Sequence, residues 1–178
     1  MSKRHLFLMG YRGSGKSAVA DVLAKRLAWP VVDTDRIVEA NAKKTIAAIF
    51  EQDGQEAFRE LEEKAIRDVA NKEAPHVISL GGGAILRQAN QIAISASGQV
   101  VWLQASPATL YQRISCDDQS AASRPKLTDR TGYEEVVSVL AERKPIYERL
   151  ADFSLDTESL SPDQLAIEIN DWLDSASY

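Results

Sequence analysis

Apolar residues in this chain follow two alternating rhythms. Short runs at Leu6–Met9, Val31–Asp33, Val77–Leu80, Val100–Leu103 and Phe153–Leu155 read as strands buried on both faces of a parallel sheet. Between them, apolar positions recur three and four residues apart, as they do along one side of a helix. Val19, Val22, Leu23 and Leu27 form such a stripe over 18–28, and Phe58, Leu61, Ala65, Ile66 and Val69 form another over 56–70. Thr45 stands where an N-cap would open a short helix over 46–51, which Asp53-Gly54 would end. Ser106-Pro107 and Ser161-Pro162 each set a capping hydroxyl before a proline at the first helical position. A helical pattern starting near Tyr133 meets Arg143-Lys144-Pro145, where proline should bend or stop it and Arg143 should turn inward. Strand–helix alternation of this kind predicts an α/β sandwich on a central parallel sheet, formed by residues 1–178 as one domain.

One segment keeps neither rhythm. Residues 115–131 are polar and almost without periodicity. A loop of that length is either functional or disordered. Beside a phosphate-binding loop it reads as a lid that closes over substrate.

That phosphate-binding loop is Gly10-Tyr11-Arg12-Gly13-Ser14-Gly15-Lys16-Ser17, a full match to G-x-x-x-x-G-K-S/T lying between the first strand and the first helix. Glycines let the backbone curl so that several N–H groups point at one anion, and the helix adds its unsatisfied first amides and the positive end of its dipole. Lys16 would set a cation on the terminal phosphates, and the Ser17 hydroxyl can ligate Mg²⁺.

Further candidates fall at the carboxyl ends of the next two strands, where ligands of open parallel sheets collect. Of Asp33-Thr34-Asp35, Asp33 suits the water shell of a metal that takes few protein ligands. Asp35 suits a substrate hydroxyl, from which it could also take a proton; the alternative is that it only caps a helix over 36–41. Arg59 and Glu62 share a helix face, so Glu62 could fix the guanidinium as a carboxylate clamp. Gly81-Gly82-Gly83 suits a place where a ligand touches backbone, with a flexible turn as the alternative. No aspartate ends that strand as a metal anchor, which leaves the metal to Ser17 and Asp33.

Composition narrows the partners. The net charge of −5 disfavours a nucleic-acid surface, and 44% hydrophobic residues are ordinary for a globular chain. The single cysteine, Cys116, excludes an internal disulfide and a cysteine-only metal site, and it has no histidine near it in sequence. His5 and His76 flank strands and are expected to be structural or solvated. The first apolar run is too short for a signal sequence or a membrane span, so a cytoplasmic protein without membrane partners is expected.

Taken together, Gly10-x-x-Gly13-x-Gly15-Lys16-Ser17, Asp33-x-Asp35, Phe58-Arg59-x-x-Glu62, Gly81-Gly82-Gly83, Arg124-Pro125 and Arg143-x-Pro145-x-Tyr147 resemble shikimate kinase in order and spacing, over about residues 6–156. The resemblance implies a P-loop, nucleoside-monophosphate-kinase-like sandwich with a five-stranded parallel sheet of order 2-3-1-4-5. It places a substrate-binding region at about 34–62 and a mobile lid at about 115–131. It implies a monomer that uses ATP and Mg²⁺ to phosphorylate the 3-hydroxyl of shikimate on the route to chorismate and the aromatic amino acids. Gly13, Ser14, Gly15, Lys16, Ser17 and Ala18 would hold the nucleotide, with Arg113 against adenine. Ser17 and, through water, Asp33 would meet the metal. Asp35 would bind substrate hydroxyls and act as base, and Arg59 and Arg143 would grip the carboxylate beside Gly81, Gly82 and Gly83. Arg124 would swing in with the lid, completing a catalytic set with Lys16 and Asp35. The chain departs from the family's usual pattern at Lys126, at Asp117 and Asp118 in the lid, and at 157–161, where many members carry a basic residue. Three other readings remain open: a gluconate-kinase-type enzyme of the same fold, a non-catalytic binding module, and a regulatory NTPase.

Overall fold

A computed structural model describes residues 4–116 and 132–176. Five strands, β1 (His5–Met9), β2 (Val31–Asp33), β3 (Val77–Ser79), β4 (Gly98–Gln104) and β5 (Phe153–Asp156), pair in parallel in the order β2-β3-β1-β4-β5. Among the described residues the helices are α1 (Lys16–Leu27), α2 (Thr34–Ala42), α3 (Ile46–Gln52), α4 (Gly54–Ala70), α5 (Gln88–Ser97), α6 (Pro107–Ser115), α7 (Tyr133–Leu150) and α8 (Pro162–Ala176). The strands expected from the apolar runs all form, and the sheet order is the one implied by the family resemblance.

Alternation along β1 explains the layers. Leu6 and Leu8 face one side of the sheet with Val77, Val101 and Leu103, and α1 and α8 cover them with Val19, Leu23, Leu165 and Ile169. Phe7 and Met9 face the other side with Ile78, Val100 and Trp102, under Ile66 and Val69 of α4, Ile94 of α5 and Tyr147 of α7. A smaller core of Val38, Ile46, Ile49, Phe58 and Ala65 holds α2, α3 and α4 together. Tyr11, Leu110, Val136 and Val139 form another, which fastens the loop after β1 to α6 and α7.

Three local expectations are refined. The first helix opens at Lys16, two residues before the stripe that marks it, with left-handed Gly15 as its cap. The stop at Asp53-Gly54 is a joint rather than a loop, because α4 begins at Gly54 immediately after Asp53 closes α3. Pro145 does not stop α7, which runs on to Leu150, and Arg143 before it is turned inward as expected. A mid-helix proline costs about 3 kcal/mol, but the buried stripe Val136, Val139, Arg143, Tyr147, Leu150 extends to both sides of it, and that packing outweighs the lost hydrogen bond. Of the segment expected as a lid, Ser115 ends α6 and Cys116 is an exposed free thiol. Arg124, Asp117, Asp118 and Lys126 lie outside the described residues. No described helix is long and apolar enough to cross a membrane.

His5 is buried within β1, edge-on to His76 with ring centroids 5.8 Å apart and to Phe7 at 6.0 Å. Burial lowers its pKa from 6.5, and the neighbouring His76 and Arg4 push the same way against the carbonyls of Ala70 and Lys72. The unfolded chain therefore binds a proton that the folded chain resists, so stability falls as pH drops below about 6.5. We expect His5→Phe to flatten the loss of stability between about pH 7 and 5 in urea unfolding. Parallel pH profiles for the two proteins would reject this assignment.

Candidate active site

The loop between β1 and α1 is curled as an anion cradle. Gly15, at φ 88°, has open space where a Cβ would point, whereas Gly13 packs against Leu110 and Ile114 of α6. Lys16 bends back into the cradle, and its Nζ donates to the carbonyls of Gly10 at 2.9 Å and Tyr11 at 3.0 Å. Lys16, Ser17, Ala18, Gly13 and Gly15 line a cavity of about 250 Å³ that also reaches Asp33 and Asp35.

The two aspartates divide their work differently from the alternative in which Asp35 is the cap. Asp33 caps α2, its Oδ1 accepting from the amides of Asp35 at 2.9 Å and Arg36 at 3.3 Å. Asp35 sits in the first turn with its carboxylate against Gly81. Thr34, which has no role in the sequence reading, is fully buried between them. Its hydroxyl accepts from the Gly81 amide at 2.8 Å and reaches the Ser79 carbonyl at 3.4 Å, which ties the end of β2 to the end of β3.

A second cavity, about 200 Å³, adjoins the first and shares Arg12, Asp35 and Gly82 with it. Its buried cations are Arg59 and Arg143, which are 8% and 6% exposed, while Arg12 is only partly buried. Arg59 donates from Nη1 to Glu62 Oε2 at 2.6 Å. Burial raises the Glu62 carboxyl pKa, the Arg59 guanidinium opposes that rise, and the nearby Asp35 charge adds to it. Arg143 donates from Nη1 to the Gly82 carbonyl at 2.6 Å. Phe50 and Phe58, with ring centroids 4.7 Å apart, supply apolar wall together with Ile46 and Val136.

The three glycines are crowded by these charges. A Cβ on Gly81 would fall on Asp35 Oδ1 and lie 3.3 Å from Glu62 Oε1, and one on Gly83 would fall on the Arg59 guanidinium, 2.6 Å from Nη2. The sequence suggests direct contact between ligand and backbone; Gly82 lines both cavities, while the space over Gly81 and Gly83 holds the protein's own Asp35 and Arg59 side chains. Arg113 lies on the other side of the phosphate loop. It donates to the Gly13 carbonyl at 3.3 Å, to Thr157 Oγ1 at 2.9 Å and to the Thr157 carbonyl at 2.7 Å. Glu158 accepts from the Ser106 amide at 2.7 Å at the start of α6, and bonds from Ser106 and Thr109 hold its carboxyl pKa down to about 2.

The residues singled out in the described sequence thus gather at the carboxyl ends of β1, β2 and β3. Those missed are Thr34, Phe50, Thr157 and, most notably, Tyr11, which lines the second cavity from within the phosphate loop. Tyr11 carries one available signal: an aromatic ring at a variable position of a glycine-rich loop. His5 and His76 lie at the amino ends of β1 and β3, away from the site.

The family model for shikimate kinase matches residues 12–174. Among curated proteins, a shikimate kinase of Rhodopirellula baltica is 44% identical over 166 residues, covering 93% of this chain and 88% of that protein. One from Symbiobacterium thermophilum is 39% identical over 165 residues, covering 93% of each. Among solved structures, shikimate kinase from Acinetobacter baumannii in complex with shikimate superposes with a TM-score of 0.90 at 27% identity, covering 98% of this chain and 95% of that one.

The crowding at Gly83 gives a direct test of the second cavity. Gly83→Ala displaces the Arg59 guanidinium, so stability in urea unfolding should fall by about 1–3 kcal/mol. An unchanged unfolding midpoint would show that the space over Gly83 is not filled by Arg59.

Proposed function

The chain belongs to the shikimate kinase family, and on that footing we propose that it transfers the γ-phosphoryl group of ATP to the 3-hydroxyl of shikimate, giving shikimate 3-phosphate and ADP. The observation that carries this reading is the junction of two cavities at Asp35. One is a phosphate loop, and the other holds two buried guanidiniums suited to a carboxylate.

The acceptor carboxylate would bind Arg59 and Arg143, whose burial strengthens charge-assisted hydrogen bonds. That would leave its hydroxyls toward Asp35, where the two cavities meet. ATP would bring its β- and γ-phosphates to the loop amides, and Lys16 Nζ would exchange its two carbonyl partners for phosphate oxygens. Arg113 and Thr157 would flank the adenine side. The acceptor oxygen attacks the γ-phosphorus, the bond to the ADP oxygen breaks, and Asp35 takes the hydroxyl proton. Most of the acceleration would come from alignment and from charge neutralisation by Lys16, with Arg124 assigned to the transferring phosphoryl group by the family resemblance.

Mg²⁺ binds with few protein ligands and keeps its waters, and the Ser17 hydroxyl and the Asp33 carboxylate, both on the wall of the phosphate cavity, fit that preference. Bound there with ATP, it would neutralise phosphate charge. The Asp33 carboxylate is oriented by the capping bonds that its Oδ1 accepts from the first amides of α2.

A coupled ADP-release assay with shikimate, gluconate and AMP side by side should show turnover with shikimate alone. Preference for gluconate, or ATP hydrolysis that ignores the acceptor, would overturn the assignment. Asp35→Asn should lower kcat about 10²–10⁴-fold with the ATP KM kept. Arg124→Ala should lower kcat on the order of 10³-fold, again without weakening ATP. An unaltered kcat in either variant would remove that residue from catalysis.

A further inference from the structure

Tyr11 is the second residue of the phosphate loop, yet its ring belongs to the other cavity. It lines the acceptor chamber and not the phosphate chamber. The ring is 3% exposed and packs with Leu110 of α6 and Val136 and Val139 of α7. Val139 and Arg143 are four residues apart and share a face of α7. The Arg143 guanidinium carbon stands 5.9 Å from the Tyr11 ring centroid, within cation–π range. Arg143 is therefore fixed from two directions, by the Gly82 carbonyl at 2.6 Å and by an aromatic face. Burial raises the Tyr11 phenol pKa, so Arg143 meets a neutral ring rather than a phenolate.

The backbone of the same residue serves the other chamber. Its carbonyl accepts from Lys16 Nζ at 3.0 Å and from the Ser14 amide at 3.2 Å. Any residue at position 11 supplies that carbonyl, but only an aromatic one supplies the face under Arg143. The two contributions separate cleanly on side-chain substitution.

We propose that the Tyr11 ring is a positioning residue for Arg143, fixing the guanidinium for the acceptor's carboxylate and so setting the preference for carboxylate-bearing acceptors. This rests on the reading of Arg143 as part of the carboxylate clamp. The ring limits the rotamers open to a long cationic side chain and keeps its charge in place before the acceptor arrives, which lowers the ordering cost of binding.

Steady-state kinetics on Tyr11→Leu, Tyr11→Phe, Arg143→Ala and the Tyr11→Leu/Arg143→Ala double variant test it. Tyr11→Leu removes the π face and keeps an apolar side chain; it should raise the shikimate KM about three- to thirty-fold. Its kcat and ATP KM should stay near those of the unsubstituted enzyme, Tyr11→Phe should behave like that enzyme, and the double variant should match Arg143→Ala alone. If Arg143→Ala raises the shikimate KM and Tyr11→Leu does not, the ring has no positioning role and the proposal fails while the clamp stands. If Arg143→Ala leaves that KM unchanged, the clamp reading fails and the proposal with it. A parallel rise in the ATP KM, or an equal further loss in the Arg143→Ala background, would reduce Tyr11 to packing and overturn the proposal. Should Tyr11→Leu not fold by circular dichroism, Tyr11→Met gives the same readings with a longer apolar side chain.

Discussion

Asp35, Arg59 and Arg143 all lie against the backbone of three consecutive glycines, and the chamber lined by the two buried arginines exists because that backbone carries no side chains. The contact is steric before it is electrostatic. Protein interiors do not yield easily to an added methyl group, so a side chain at residue 81 or 83 would expel the charges that give the chamber its chemistry. Sheet topology supplies the rest. With β3 between β1 and β2, the glycines after β3 lie beside both the phosphate loop after β1 and the aspartates after β2. Buried Thr34 fastens that seam by accepting from the Gly81 amide.

Burying two arginines is a poor way to stabilise a fold. The desolvation penalty of a buried pair commonly matches or exceeds its Coulombic gain, and the Arg59–Glu62 pair, 9% and 1% exposed at the side chains, is of that type. Its value is orientation. Glu62 is three residues from Arg59 on α4 and engages one side of the guanidinium, which leaves the fork's other donors in the chamber. Arg143 is held instead by the Gly82 carbonyl and the face of the Tyr11 ring, with its charge also felt by Glu62. One guanidinium is thus oriented by a carboxylate and the other by neutral groups, a combination suited to recognising a single carboxylate.

How much of this the sequence discloses depends on the range of the interaction. The strands and helices follow from local periodicity, and their agreement with the observed elements reflects a core with two apolar sheet faces and little ambiguity in register. The phosphate loop is equally local, since strand, glycines, lysine and helix are contiguous. The division of labour between Asp33 and Asp35 was not legible, because the cap depends on where the chain leaves the extended region, and it does so at Asp33 with φ −109° and ψ 121°. The continuation of α7 past Pro145 is hidden for a related reason: a propensity rule is outweighed by a buried stripe whose partners lie elsewhere in the chain. Tyr11, Thr34 and Thr157 escaped notice because their partners Arg143, Gly81 and Arg113 are remote in sequence, and no spacing rule joins them.

The stretch 157–161, where the sequence departs from the pattern that the family resemblance implies, is held by contacts of its own. This chain has Thr157-Glu158 at its start. Thr157 is buried, donates from its hydroxyl to the Gln104 carbonyl at 2.9 Å and takes two bonds from Arg113. Glu158 caps the start of α6 from outside through the Ser106 amide, adding to the cap that Ser106 itself makes to Thr109, and a carboxylate there complements the helix dipole. Arg113 leaves the last turn of that same helix and reaches both Thr157 and Gly13. The loop after β5, the two ends of α6 and the rim of the phosphate loop are therefore linked in one circuit of hydrogen bonds. A basic residue at 158 would face the positive end of α6 and break that circuit, so the acidic residue is the one consistent with this loop's path.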